Sequence, residues 1–154
     1  MARWSEIEGE VAEFAARVRA RFEAGTNKTL ATLRRDGSPR ISASECEFSQ
    51  TGEVTLGMMG GSMKLLDVRR DPRVALHSPT LEPPKDDPVG WAGDAKLSGT
   101  LVEIEPPADT PHVGAGFFRL DIDEVVLTHL DSAGDHLVIE SWHPARGHRV
   151  RKRT

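Results

Sequence analysis

The stretch Gly60-Gly61-Ser62-Met63-Lys64 has the residue types of an anion site. A helix start leaves backbone N–H groups unpaired and carries a partial positive charge, so it attracts phosphate. Gly60 and Gly61 let a ligand approach the backbone closely, and Ser62 supplies an N-cap hydroxyl. Lys64 falls in the first turn, where a cation opposes the helix dipole, and an anionic ligand removes that conflict. Asp71-Pro72 ends the short amphipathic run. Arg69, Arg70 and Arg73 read as surface charges or, for Arg69 or Arg73, as an extension of the anion site.

The other reactive residue types read differently. Cys46 lies between Glu45 and Glu47, whose charges disfavour a thiolate. Strand alternation turns its side chain away from both, beside Ser44 and Phe48, as a packed core cysteine rather than a nucleophile. The six histidines are scattered. The pairs His129/His136 and His143/His148 match no metal-binding spacing and read as surface or locally bonded residues. Asp121, Asp123 and Glu124 lack the glycine and terminal glutamate of a calcium loop and read as a solvated strand edge. Met58, Met59 and Met63 fill core space or pack thioethers against a flat ring. Trp91 either covers such a ring or anchors the loop before it. No side chain stands out as a general acid or base, so the catalytic residues are unknown and no metal site is expected.

These residues need elements to position them. Trp4, Ile7, Val11, Phe14, Val18 and Phe22 recur at helical spacing, predicting one helix over 4–24 with Ser5 and Glu8 as its capping box. Residues 29–33, 40–49 and 53–58 then read as strands, turned by Asp36-Gly37 and Thr51-Gly52. A short helix follows Ser62, and residues 73–77 return to strand. Residues 79–90 hold four of the ten prolines and read as an ordered loop. Strands over 92–105, 118–130 and 136–142 complete the set. Six or seven strands in successive hairpins, with no βαβ alternation, predict a mainly β protein, an antiparallel barrel with one leading and one inserted helix.

At 154 residues the chain suits a single domain. Its 38% hydrophobic and 29% charged content fit a folded protein, and a net charge of −4 argues against general affinity for nucleic acid. The basic ending RGHRVRKRT, residues 146–154, reads as a solvated or frayed tail. One cysteine excludes an internal disulfide and a cysteine-based zinc cage. No stretch approaches the ~20 apolar residues of a membrane span, and the N-terminus lacks the apolar core of a signal peptide, so a cytoplasmic protein without a membrane partner is expected.

The run ATLRRDGSPR, residues 31–40, followed by Ser62-x-Lys64 and Asp71-Pro72-Arg73-Val74, resembles the pyridoxamine 5'-phosphate oxidase-like family of flavin-binding split β-barrels. The resemblance covers residues 28–142. It implies a split barrel over those residues, a basic tail over 143–154, and a homodimer with FMN in a cleft at the subunit interface. It places the FMN phosphate on Ser62 and Lys64, next to Gly61 and Met63, with Arg40 neutralising it. The ring would lie along the second and third strands, at Ile41, Ser42 and Ser44 and at Leu56, Gly57 and Met58. The oxidase that names the family has a lysine where this chain has Ser44-Glu45, and Trp142 and Arg146 match its substrate-binding ending only loosely. The closer likeness is to small members that use FMN or the deazaflavin coenzyme as oxidoreductases acting on small organic substrates. A non-catalytic flavin-binding or sensor module is the reading from another class.

Overall fold

The computed structural model describes residues 1–110 and 113–154. The apolar stripe of the N-terminal segment is buried as predicted, at Trp4, Ile7, Phe14, Val18 and Phe22. It is carried by two helices, α1 (Trp4–Glu10) and α2 (Ala12–Glu23). Val11 breaks them with an extended φ of −137°, two residues after Gly9, whose freedom makes it a poor helix former. The capping interaction also lies earlier than predicted. The Arg3 N–H donates to the Glu6 carboxylate at 2.6 Å, while the Ser5 N–H is used on the carbonyl of Gly52 at 2.9 Å.

The remaining elements are β1 (Lys28–Leu33), β2 (Pro39–Ser44), β3 (Glu47–Phe48), β4 (Val54–Met58), α3 (Met63–Arg70), β5 (Arg73–His77), β6 (Asp94–Ile104), β7 (Gly116–Leu130), β8 (Leu137–His143) and β9 (Gly147–Arg153). All pairings are antiparallel, in the order β2-β1-β5-β6-β7-β4-β3. β7 pairs with β6 on one edge and is long enough to serve two further partners on the other. Its first part pairs with β4, through Gly116 to Arg119, and its last part with β8, through Val125 to Leu130. The sheet therefore forks. One arm closes around the core and stays split between β2 and the β3–β4 edge, and the other runs out through β8 to β9.

The core lies between the curled sheet and α1–α2. Phe48 joins them, with its ring 4.8 Å from Trp4 edge-on and 5.9 Å from Phe22. This is the mainly β split barrel that the hairpin pattern predicts, with nine strands among the described residues rather than six or seven. One extra strand arises because the predicted strand over 40–49 breaks at Glu45-Cys46. The other is β9, where a frayed tail was expected: Gly147 to Arg153 pair residue for residue with β8.

A buried carboxylate holds that outer arm. Glu140 on β8 faces inward and receives both terminal nitrogens of Arg17 on α2, at 2.6 and 2.8 Å. The imidazoles of His129 and His148 meet the same carboxylate at 2.7 and 3.0 Å. One residue thus links α2, β7, β8 and β9.

Candidate functional site

Ser62 is the N-cap of α3, with extended backbone at φ −68° and ψ 146°. Its hydroxyl does not cap the helix. The oxygen is buried and has no hydrogen-bond partner among the described residues. Leaving such a group unsatisfied costs about 1–3 kcal/mol. Gly61 precedes it at φ +80°, with open space where a side chain would stand. Gly60 has another role. A Cβ there would come within 2.9 Å of the Gly114 and Val113 backbone, so its bareness serves close packing.

The Lys64 ammonium donates to the Ala43 carbonyl at 2.8 Å, which lays the first turn of α3 over β2. Arg40, near the start of β2, donates through Nε to Asp67 at 2.7 Å. Asp67 is fully buried and also accepts from Thr32 Oγ1 at 2.8 Å and Arg70 Nη2 at 3.0 Å. Burial alone would raise its carboxyl, but these three donors outweigh burial and hold it below the ordinary carboxylate range. Asp67 therefore fixes Arg40 by one nitrogen. The two terminal nitrogens of Arg40 make no hydrogen bond among the described residues.

Beside this cradle is an open hollow of about 730 Å³ whose walls include Arg34, Arg35, Arg40, Met63, Leu66 and Arg70. Five arginines line it against two aspartates, so its field is positive. Arg34 and Arg35 enter no ion pair among the described residues.

The structure thus brings together Arg40, Gly61, Ser62, Met63 and Lys64. The residues named for a ring are more dispersed. Ile41 is 73% exposed on β2, and Ser42 is half-buried on the opposite face. Ser44 is buried, with its hydroxyl on the Glu45 carbonyl at 3.2 Å. Met58 is packed in the core and offers only backbone. Gly57 is exposed on β4, where a Cβ would press on the Phe117 ring at 3.1 Å. It lines a second hollow of about 400 Å³ with Glu45, Cys46, Glu47 and Phe117. The Glu45 charge, which would oppose a phosphate, lies there and not among the arginines.

Cys46 is a core residue. Burial, with Glu47 adding to it and Lys28 opposing, pushes its thiol up to about 11. Trp91 anchors the proline-rich loop, its indole donating to the Leu81 carbonyl at 2.9 Å. Arg69 and Arg73 are spent on Glu103 and Asp71, each at 2.6–2.7 Å. Sequence reasoning passed over Asp67, Arg34 and Arg35. Asp67 gave little signal, since helical spacing sets it on the side of α3 away from Leu65 and its burial is seen only in the fold.

The forked antiparallel sheet, the N-terminal helices and the inserted α3 define the split barrel of pyridoxamine 5'-phosphate oxidase-like, FMN-binding proteins. No family model and no curated protein matches the sequence. Solved structures do. A pyridoxamine 5'-phosphate oxidase-related, FMN-binding protein from Nostoc punctiforme PCC 73102 is 13% identical, with 100% of this chain and 98% of that one covered and a TM-score of 0.61. An F420 reductase is 18% identical, with 70% and 94% covered and a TM-score of 0.52. HutZ, a heme storage protein from Vibrio cholerae, is 13% identical, with 74% and 90% covered and a TM-score of 0.55. At these identities the likeness is one of fold, and that fold is shared by FMN and F420 proteins and by heme-binding ones. None of the helices among the described residues is long and apolar enough to cross a membrane.

Proposed function

We propose that the chain is an oxidoreductase that binds a flavin-type cofactor by its phosphate at the start of α3. The observation that carries this reading is the buried, unpartnered hydroxyl of Ser62, set between a glycine at positive φ and Lys64. Ser62, the free N–H groups of the first turn, Lys64 and the terminal nitrogens of Arg40 would hold the phosphate, with Asp67 orienting Arg40. FMN is the first reading. When bound, such a cofactor carries the hydride, and the chain supplies position, charge and exclusion of water.

The deazaflavin coenzyme is the second reading, favoured by the five-arginine hollow, which gives a longer anionic group somewhere to lie. A homodimer covering the cleft belongs to the same proposal. Ile41, Met59, Met63 and Leu66 are each more than half exposed around the cradle, an apolar surface that a second subunit would bury.

The test is titration of the purified protein with FMN, with the deazaflavin coenzyme and with heme, followed by fluorescence and absorbance, for the wild type and for Ser62→Ala and Lys64→Ala. One flavin should bind, with each variant weaker by about tenfold or more, as expected for a lost hydrogen bond to a charged group. Equal binding by both variants, or no flavin binding, overturns the reading. Reduction of the bound cofactor by a nicotinamide donor separates an enzyme from a storage or sensor module. Sedimentation checks the dimer.

A further inference from the structure

β9 is an edge strand, paired with β8 on one side only. Its residues Arg149, Arg151 and Arg153 stand opposite Ser141, Ile139 and Leu137 on the outer face of the sheet. Across the register that face continues through Val126 and Lys96 to His77. The surface is concave, enclosing about 950 Å³. Among the described residues Lys96, Arg149, Arg151 and Arg153 enter no ion pair. The two carboxylates in the groove are shared with other groups, Glu124 with Arg146 at 3.8 Å and Asp94 with His77 at 3.9 Å. Lys152, on the other face of β9, lies 3.9 Å from Asp131.

We infer that β9 and this groove form a docking site for an extended acidic peptide segment of another protein, added to the sheet as a further strand. A strand added at an edge gains main-chain hydrogen bonds, and its alternate side chains share a face with those of its neighbour. Alternate residues on a strand are about 6.8 Å apart, so carboxylates at every second position of the incoming segment would each stand beside one of the three arginines. Positive charge along an edge discourages neutral and basic strands, and the same row selects an acidic one. The floor, with Val126 and Ile139 half-buried, carries no Phe, Tyr or Trp and only the His77 ring at its far end, so it gives nucleic-acid bases little to stack on.

The test uses the full chain and a labelled nine-residue peptide alternating glutamate with threonine, followed by fluorescence anisotropy at low and high salt. Controls are the same composition in blocks, the alternating peptide N-methylated at every second residue, an oligodeoxyadenylate and inorganic polyphosphate. The alternating peptide should bind best, more weakly at high salt, and lose tenfold or more on N-methylation or in the variant Arg149→Ser/Arg151→Ser/Arg153→Ser. Arg151→Glu should restore binding to a peptide carrying lysine at the matching position, which keeps the test independent of the triple variant's folding. Equal binding of the blocked or N-methylated peptide, or tighter binding of either polyphosphate chain, overturns the inference.

Discussion

Replacing Glu140 by glutamine removes one negative charge from a site where four nitrogens converge on it and leaves the side chain's shape intact. In the folded protein burial by itself would raise this carboxyl. The hydrogen bonds from Arg17, His129 and His148, with the Arg17 charge, outweigh that and bring it from the ordinary 4.5 down to about 2. A displacement of that size corresponds to about 3 kcal/mol of extra stability for the charged form. The Arg17 side chain is 40% exposed, so solvent screens part of the interaction, and about 2 kcal/mol is the better figure.

The sign follows from the direction. A carboxyl whose folded pKa is depressed stabilises the protein fully above its unfolded pKa, and the contribution is lost as pH falls from about 4.5 toward about 2. Denaturant unfolding of wild type and Glu140→Gln should therefore differ by about 2 kcal/mol at pH 7, and the gap should close as the wild type is acidified through that window. Hydrogen exchange should show β9 opening more readily in the variant, because Glu140 is the contact that reaches β9 from within. A gap under about 0.5 kcal/mol at pH 7, or one that does not change between pH 6 and pH 3, refutes the assignment of Glu140 as the clamp.

Two further outcomes follow from other buried groups. Asp67→Asn should cost about 2 kcal/mol in denaturant unfolding and also weaken binding of the cofactor, because it removes the charge that holds Arg40 and turns one of the two oxygens shared by Arg40, Thr32 and Arg70 into an amide donor. Unchanged affinity with lowered stability would show that Arg40 does not need this anchor. Cys46, with its thiol pushed up to about 11, should react with a maleimide at pH 8 only at the rate of unfolding, and adding denaturant should bring it to the rate of a free thiol.

The barrel was legible because its strands alternate cleanly and their turns carry Asp-Gly and Thr-Gly pairs, all local signals. The start of α3 was legible for the same reason, since Gly61, Ser62 and Lys64 are neighbours in sequence. What could not be read is what residues far apart do to one another. The partner that fixes Arg40, Asp67, is 27 positions away and could not be paired with it from the sequence. β9 escaped because basic residues occupy both of its faces, so Gly147 to Arg153 show no apolar alternation. Its strand state comes from the hairpin with β8 and from Glu140, not from propensity.

Asp67 and Glu140 are two uses of one device. Each is a carboxylate placed on the inward phase of its element, where an apolar residue would be expected, and each gathers donors from several elements around it. A buried ion cluster of this kind adds little net stability over a well-packed apolar replacement, because both charges must be desolvated. What it adds is directional. It holds particular nitrogens in particular places, and the two clusters differ in what they leave outside. Around Asp67 the terminal nitrogens of Arg40 make no hydrogen bond among the described residues, so in the proposed function that cluster would position a binding group. Around Glu140 both terminal nitrogens of Arg17 are taken by the carboxylate and its Nε stays buried, so the cluster only fastens the arm that carries Arg149, Arg151 and Arg153. Losing Asp67 should therefore alter the affinity of the cradle itself, whereas losing Glu140 should reach the peptide groove only through the loosening of β9.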